Sequence, residues 1–245
     1  MGSMRYKYPI PTEEWMRVQA FAALLYGAQG LQYWPYASCE PGDMAPVDND
    51  GNLSQTYYYA KNINTDVKAL TWVFLGAEML RVGHTNPETP IGCLRLSEAM
   101  LPDGIANVTT DGSGMAVGML QNGSNMFVMV LNTDIHNEQT ATVKVDRKIK
   151  RVKMDGTTED VAAGTYSTPL RPGSFLLYLT SETEAHPDNY VSTPGNHSDY
   201  RLDAPEVAIT ASQSASNGHY VADMGTTSWD ISVSYTHLRA HETVL

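Results

Sequence analysis

Apolar positions follow two different rhythms along this chain, helical before about residue 83 and strand-like after it. Trp15, Val18, Ala22 and Leu25 recur at spacings of three and four, which places them on one face of a helix. Ala20, Phe21, Ala23 and Leu24 fill much of the remaining circumference, so this helix is expected to be covered on several sides. Pro11 and Thr12 open it, with Thr12 able to cap and Glu13 and Glu14 suited to the positive end of the dipole. Gly27 and Gly30 close it. Residues 31–36, LQYWPY, are apolar and too short for a helix, and predict a buried parallel strand. A loop rich in Pro, Gly, Asp and Asn spans 37–53, and Ser54 or Thr56 then opens a second helix. Its stripe is Tyr59, Ile63, Val67, Leu70 and Phe74. Helix, strand, helix fits the end of a (β/α) barrel, and on pattern alone fits a doubly wound sheet almost as well.

Beyond residue 83, strands are predicted at 115–121, 126–132, 140–146, 149–154 and 174–180. The segments QNGSN, TDIHNEQ, DGTTED and RPG between them carry turn chemistry. Residues 126–131 and 175–179 are apolar enough to be central strands. This part is expected to be an antiparallel all-β domain. Residues 182–205 are polar and read as a linker. Residues 206–232 start like a further β domain but are too few to bury a core.

The chain has 245 residues and a formal net charge of -11, which argues against nucleic-acid or anionic-membrane partners, since both require clustered Lys and Arg. Hydrophobic residues make up 42%, and no apolar run approaches the ~20 residues of a membrane span. Cys39 and Cys93 either form one disulfide or stay as two free thiols. The opening MGSMRYKYPIP has no apolar h-region and is not a signal peptide.

Among candidate functional residues, Tyr33, Trp34 and Tyr36 stand out. Alternation puts Trp34 and Tyr36 on one side and Tyr33 on the other. Aromatic faces stack on the C–H faces of sugars, and Gln32 offers a polar neighbour for ring hydroxyls. The competing reading is that these rings are core. The turn Asp48-Asn49-Asp50-Gly51-Asn52 places its Gly fourth and is followed by no suitably spaced Glu, so it reads as a turn and not a calcium loop. No metal or cofactor site is expected.

The stretch YPIPTEEWMRVQAFAALLYGAQGLQYWPY resembles the segment of clan A glycoside hydrolases, including β-galactosidase-like barrels, in which a helix leads into strand 8. VDNDGNLSQTYYYAKNINTDVKAL resembles the following loop and last helix, and FVMVLNTD with LRPGSFLLYLT resembles the appended C-terminal sandwich. The resemblance implies an α/β fragment, the last helix-strand-helix of a TIM barrel in residues 1–82, followed by an antiparallel all-β sandwich in 83–181. It implies a secreted or periplasmic bacterial parent acting on a carbohydrate substrate, with Trp34 flooring the subsite of the cleaved sugar and Tyr36 and Gln32 beside it. Glu40 and Asp43 follow that strand and either line the mouth of the site or, the reading their loop favours, are solvated loop residues. The two glutamates that such retaining enzymes hold about 5–5.5 Å apart would lie upstream of Met1, leaving this fragment inactive alone. Residues 206–232 faintly resemble the opening of a discoidin-like carbohydrate-binding module, through Ile209-Thr210-Ala211-Ser212 and Thr227-Ser228-Trp229. Residues 234–243, in a tail spanning 233–245, resemble a translated sequencing adapter, so His237, His241 and Glu242 are not read as ligands. Two other classes stay open: a non-catalytic carbohydrate-binding sandwich, which a row of exposed aromatics on one sheet face would favour, and a structural module without ligand.

Overall fold

The computed structural model describes residues 10–37, 45–85, 89–90 and 92–181, together with the backbone of two short strands at 209–211 and 219–221. The chain divides into two compact units, Met1–Gln29 with Tyr33–His186 and Gly30–Gln32 with Pro187–Leu245. In the first unit, helices α1 (Glu13–Leu25), α2 (Gln55–Ala69) and the short α3 (Thr71–Phe74) accompany strands β1 (Glu78–His84), β2 (Ile105–Thr110), β3 (Ala116–Asn122), β4 (Asn125–Leu131), β5 (Gln139–Val145), β6 (Ile149–Val152), β7 (Thr158–Val161), β8 (Gly164–Leu170) and β9 (Phe175–Ser181). The second unit contributes β10 (Ile209–Ala211) and β11 (His219–Val221), an antiparallel pair. The rest of the residues read as linker, third module and tail lie outside the described residues.

Six strands form one sheet in the order β1-β3-β4-β9-β6-β7, and β2-β5-β8 form a second. Every ladder in both is antiparallel. Val117, Met119, Val128, Val130, Leu176 and Tyr178 of the large sheet meet Val108, Ala141, Val143, Val145 and Leu170 of the small one, which makes a sandwich core. The alternate residues of β3, β4 and β9 face the other way and are buried as well: Leu120, Phe127, Met129, Leu131, Leu177 and Leu179. The helices cover that face. The rings of Phe21 and Phe175 lie 4.6 Å apart and those of Trp72 and Phe127 5.3 Å apart. Burial on both faces explains why residues 126–131 are apolar without alternation, a pattern more often met in parallel sheets.

Thr12 caps α1 by accepting from the Trp15 N–H at 3.3 Å, and Ser54 caps α2 by accepting from the Thr56 N–H at 3.2 Å. The helices are joined by a 2.6 Å ion pair between Arg17 and Asp66, with the Arg17 guanidinium also 5.0 Å from the Phe21 ring centre. The far end of α1 is tied to the β4–β5 loop, where the Trp15 indole N–H donates to the Ile135 carbonyl at 3.1 Å. Beneath that loop lies a buried polar network. Asn132, with 0% exposure, donates to the carbonyls of Asn137 and Leu170, and its side-chain oxygen accepts from the Asp134 N–H and from Gln139.

Three sequence expectations are corrected by this architecture. Residues 31–36 are not a strand: a strand needs a neighbour to complete its ladder, and the described contacts supply only a single parallel bridge, Ala37 to Val47. The described residues contain neither a parallel sheet nor a closed barrel. The segment DGTTED is only partly a turn, because Thr158, Glu159 and Asp160 enter β7. Four strands, β1, β2, β7 and β8, add to the five predicted, and β1 starts at Glu78, ahead of the change in character at 83.

Candidate functional site

The segment that carries the aromatic residues is positioned from both sides. At the end of α1, Gly27 adopts φ 90, and the N–H groups of Tyr26, Gly27 and Ala28 satisfy the carbonyls of Ala22, Leu24 and Ala23. Gln29 then pins the exit: its amide donates to the Ala77 carbonyl at 3.1 Å and accepts from the Gly76 N–H at 2.7 Å. On the other side, the Val47 N–H donates to the Tyr36 carbonyl at 3.0 Å, and Val47 also bridges to Leu53. Asp48 closes the intervening turn by accepting from the N–H groups of Asp50 and Asn52, which lowers its pKa, the Asn52 N–H most strongly. Ser54 donates to the Ala45 carbonyl at 2.6 Å and so joins this turn to the start of α2.

Between these anchors Tyr33, Trp34 and Tyr36 diverge. Tyr33 is half-buried against α2, where its hydroxyl donates to Asn64 Oδ1 at 3.0 Å, and burial pushes its phenol up to about 12. Trp34 is 67% exposed and Tyr36 52% exposed, with the Trp34–Pro35 peptide bond cis. The opposed placement of Tyr33 thus persists without a strand. Tyr58, on the first turns of α2, is 47% exposed and stacks edge-on with Tyr57 at 5.4 Å. Gln32 is exposed and belongs to the second compact unit, while Trp34 and Tyr36 belong to the first. Glu40 and Asp43 lie outside the described residues, as does Cys39; Cys93 is a free, half-buried thiol.

Among the described residues, the carboxylates whose acidity departs from the ordinary range, Asp48, Asp134, Asp155 and Asp160, are all more acidic than usual, each held ionised by hydrogen bonds. A general acid needs the opposite shift. Among the described residues no group of three or more His, Cys, Asp and Glu side chains is placed to hold a metal ion. No described helix is long and apolar enough to cross a membrane. The solvent face of the three-stranded sheet carries Thr109, Thr142 and Ser167 in one row and Asn107, Lys144 and Thr165 in the next, with no aromatic ring in either. Tyr178 lies in the core, and the Tyr166 hydroxyl donates to the Ala162 carbonyl.

A second grouping of titratable side chains was not legible in the sequence. The Tyr26 hydroxyl sits 2.9 Å from His84 Nε2 and 3.9 Å from Cys93 Sγ. Its members come from the end of α1, the end of β1 and the segment after it, so no local spacing announces them. No family model matches this chain, and no curated protein matches it either.

Proposed function

We propose that this chain is part of a glycoside hydrolase and that Trp34 and Tyr36 form a carbohydrate-binding surface. In this reading α1, residues 31–36 and α2 are the last helix-strand-helix of a TIM barrel, the central segment completing its ladder beside parallel neighbours. The β-sandwich supports α1 from behind through the contact of Phe21 with Phe175. One observation carries the proposal: two large aromatic residues, 67% and 52% exposed, stand two positions apart on a segment anchored at both ends. Burial of the rings would be the ordinary outcome for Trp and Tyr, and a rigid exposed ring is suited to stacking on a sugar face. A net charge of -11 agrees with an uncharged substrate better than with an anionic one.

Affinity electrophoresis through gels containing neutral polysaccharides tests this. The protein is expected to be retarded by at least one β-linked polymer, and Trp34→Ala to weaken retention about ten-fold, the loss of roughly 1.4 kcal/mol. Retardation unchanged in both Trp34→Ala and Tyr36→Ala, or absent from the unaltered protein with every polymer, would overturn the proposal. The chain alone is expected to leave aryl glycosides uncleaved.

A further inference from the structure

We propose that Asn122 is a self-modification site. It loses its amide to the neighbouring Gly123 whenever the β3–β4 turn parts from α3, and the loss unties one anchor of the segment that leaves α1. The turn is short: Asn122 pairs with Asn125, leaving only Gly123 and Ser124 between the strands. Gly123 takes φ 59 and is exposed, while Asn122 is half-buried. Asn122 Nδ2 donates to the carbonyls of Trp72 at 3.0 Å, Val73 at 3.3 Å and Leu75 at 2.9 Å. A helix leaves its last carbonyls without partners of its own, and here one amide serves three of them at the end of α3. The rings of Trp72 and Phe127, 5.3 Å apart, make the apolar half of the same tie. The Leu75 carbonyl shares its peptide unit with the Gly76 N–H, which donates to Gln29 Oε1 at 2.7 Å. Gln29 donates in turn to the Ala77 carbonyl at 3.1 Å. Hydrogen bonds therefore run from the β3–β4 turn, through one peptide plane, to the exit of α1, each polarising the next.

The chemistry needs only these two residues and water. Glycine carries no Cβ to shield its nitrogen, so an asparagine before it is open to attack from the backbone. The Gly123 nitrogen gives up its proton to solvent and attacks Asn122 Cγ. A new N–C bond closes a five-membered imide, the Cγ–Nδ2 bond breaks, and Nδ2 leaves as ammonia with a proton from water. Water then opens the ring at either carbonyl, giving aspartate or its β-linked isomer. The folded arrangement holds the reaction back. Three hydrogen bonds aim Nδ2 at α3, and the pairing with Asn125 keeps Asn122 extended, with Cγ turned from the next nitrogen. Attack thus waits for a local opening of the contact. The product cannot restore the tie, because a carboxylate accepts hydrogen bonds and donates none, and it would face three carbonyl oxygens. The change runs one way and records how often the contact has opened.

The test incubates the full chain warm at pH 8, in buffer and in concentrated urea. Samples drawn over several weeks are digested, and mass spectrometry reads the amide-to-acid mass gain at each asparagine. The second Asn-Gly pair of the sequence, Asn217-Gly218, calibrates the rate in urea, where both pairs are expected to convert alike. In buffer Asn122 is expected to convert ahead of every other asparagine between residues 10 and 181, yet at least about ten-fold more slowly than in urea. Asn122→Asp makes the product directly and is expected to melt roughly 4–10 °C below the parent. In a Gln29→Ala background, where the shared peptide unit has already lost one partner, the same change should cost visibly less. If Asn122→Asp does not fold, the two rates measured on the unaltered protein decide the matter. Equal rates in buffer and urea, no conversion of Asn122 in buffer, or an Asn122→Asp protein as stable as the parent would overturn the proposal.

Discussion

Replacing Gly118 by Ala is a direct probe of how α1 sits on the large sheet. Gly118 lies on the helix-facing side of β3, paired with Met129 of β4, which pairs with Leu177 of β9. A Cβ added there would stand 2.7 Å from Leu25 Cγ, 2.9 Å from Leu25 Cδ1 and 3.4 Å from the Leu25 carbonyl oxygen. Leu25 has 0% exposure. Overpacking of this kind costs about 1–3 kcal/mol. Against that, Ala restricts the unfolded chain and stabilises by about 0.4–1 kcal/mol, because the position is not left-handed. The net expectation is a destabilisation of about 1–2 kcal/mol. Leu25→Ala alone should cost about 2–5 kcal/mol through the cavity it leaves. In the Leu25→Ala background the two close carbons are gone and only the 3.4 Å contact remains, so Gly118→Ala should become neutral or stabilising. The coupling energy is then about 1–3 kcal/mol, measurable by urea unfolding of the parent, both single variants and the double variant at constant m-value. An equal cost of Gly118→Ala in both backgrounds would refute the packing of α1 on β3 described above.

The polar network beneath the β4–β5 loop should be sensitive to a change of one atom. Asn132→Asp replaces an amide that donates to two carbonyls by a carboxylate facing them, and is expected to cost about 3 kcal/mol or more at pH 7, easing in acid as the carboxyl protonates. The Asp134 carboxylate, held at about 2 chiefly by the His136 N–H, has a folded pKa below its unfolded value. Its contribution is therefore complete above about pH 4 and is lost as pH falls through about 2, so the stability gap between the parent and Asp134→Asn should close over that window. Solvent screening limits that gap to about 1 kcal/mol, and a gap that widened in acid denaturation would contradict the assignment.

The helices and the most apolar strands were legible because their signals are local. Thr12 and Ser54 cap where their sequence context places them, and four of the five expected strands match to within a residue at each end, while β6 stops two residues before the expected limit. The helical stripe of Tyr59, Ile63, Val67, Leu70 and Phe74 conceals a break at Leu70, which ends α2 and precedes α3. Among the strands missed, β8 (GTYSTPL) carries hydroxyls and a proline, and β7 (TEDV) is a four-residue charged edge. Edges of sheets require little hydrophobic surface, and so leave little trace in a hydropathy pattern. Residues 31–36 failed for the opposite reason. Their composition suits a buried strand, but composition cannot supply a partner. Nor does any pattern foretell that Tyr26 meets His84 and Cys93, 58 and 67 residues away.

The burial of β3, β4 and β9 on both faces has a consequence for how this protein can be divided. A chain cut at residue 83 to isolate the sandwich would lose most of β1 and strip the cover from Leu120, Phe127, Met129, Leu177 and Leu179 at one stroke. Such a greasy plane invites self-association, so the sandwich is not a portable part that could be moved to another protein without α1, α2 and α3. The dependence also runs the other way. The loop bearing Trp34 lies between α1, which packs on the sheet, and α2, which packs on α1, so a repacking of β3, β4 or β9 would tilt that ring without touching it. Any selection acting on the reach of Trp34 therefore has the interior of the sandwich as one of its adjustable parts.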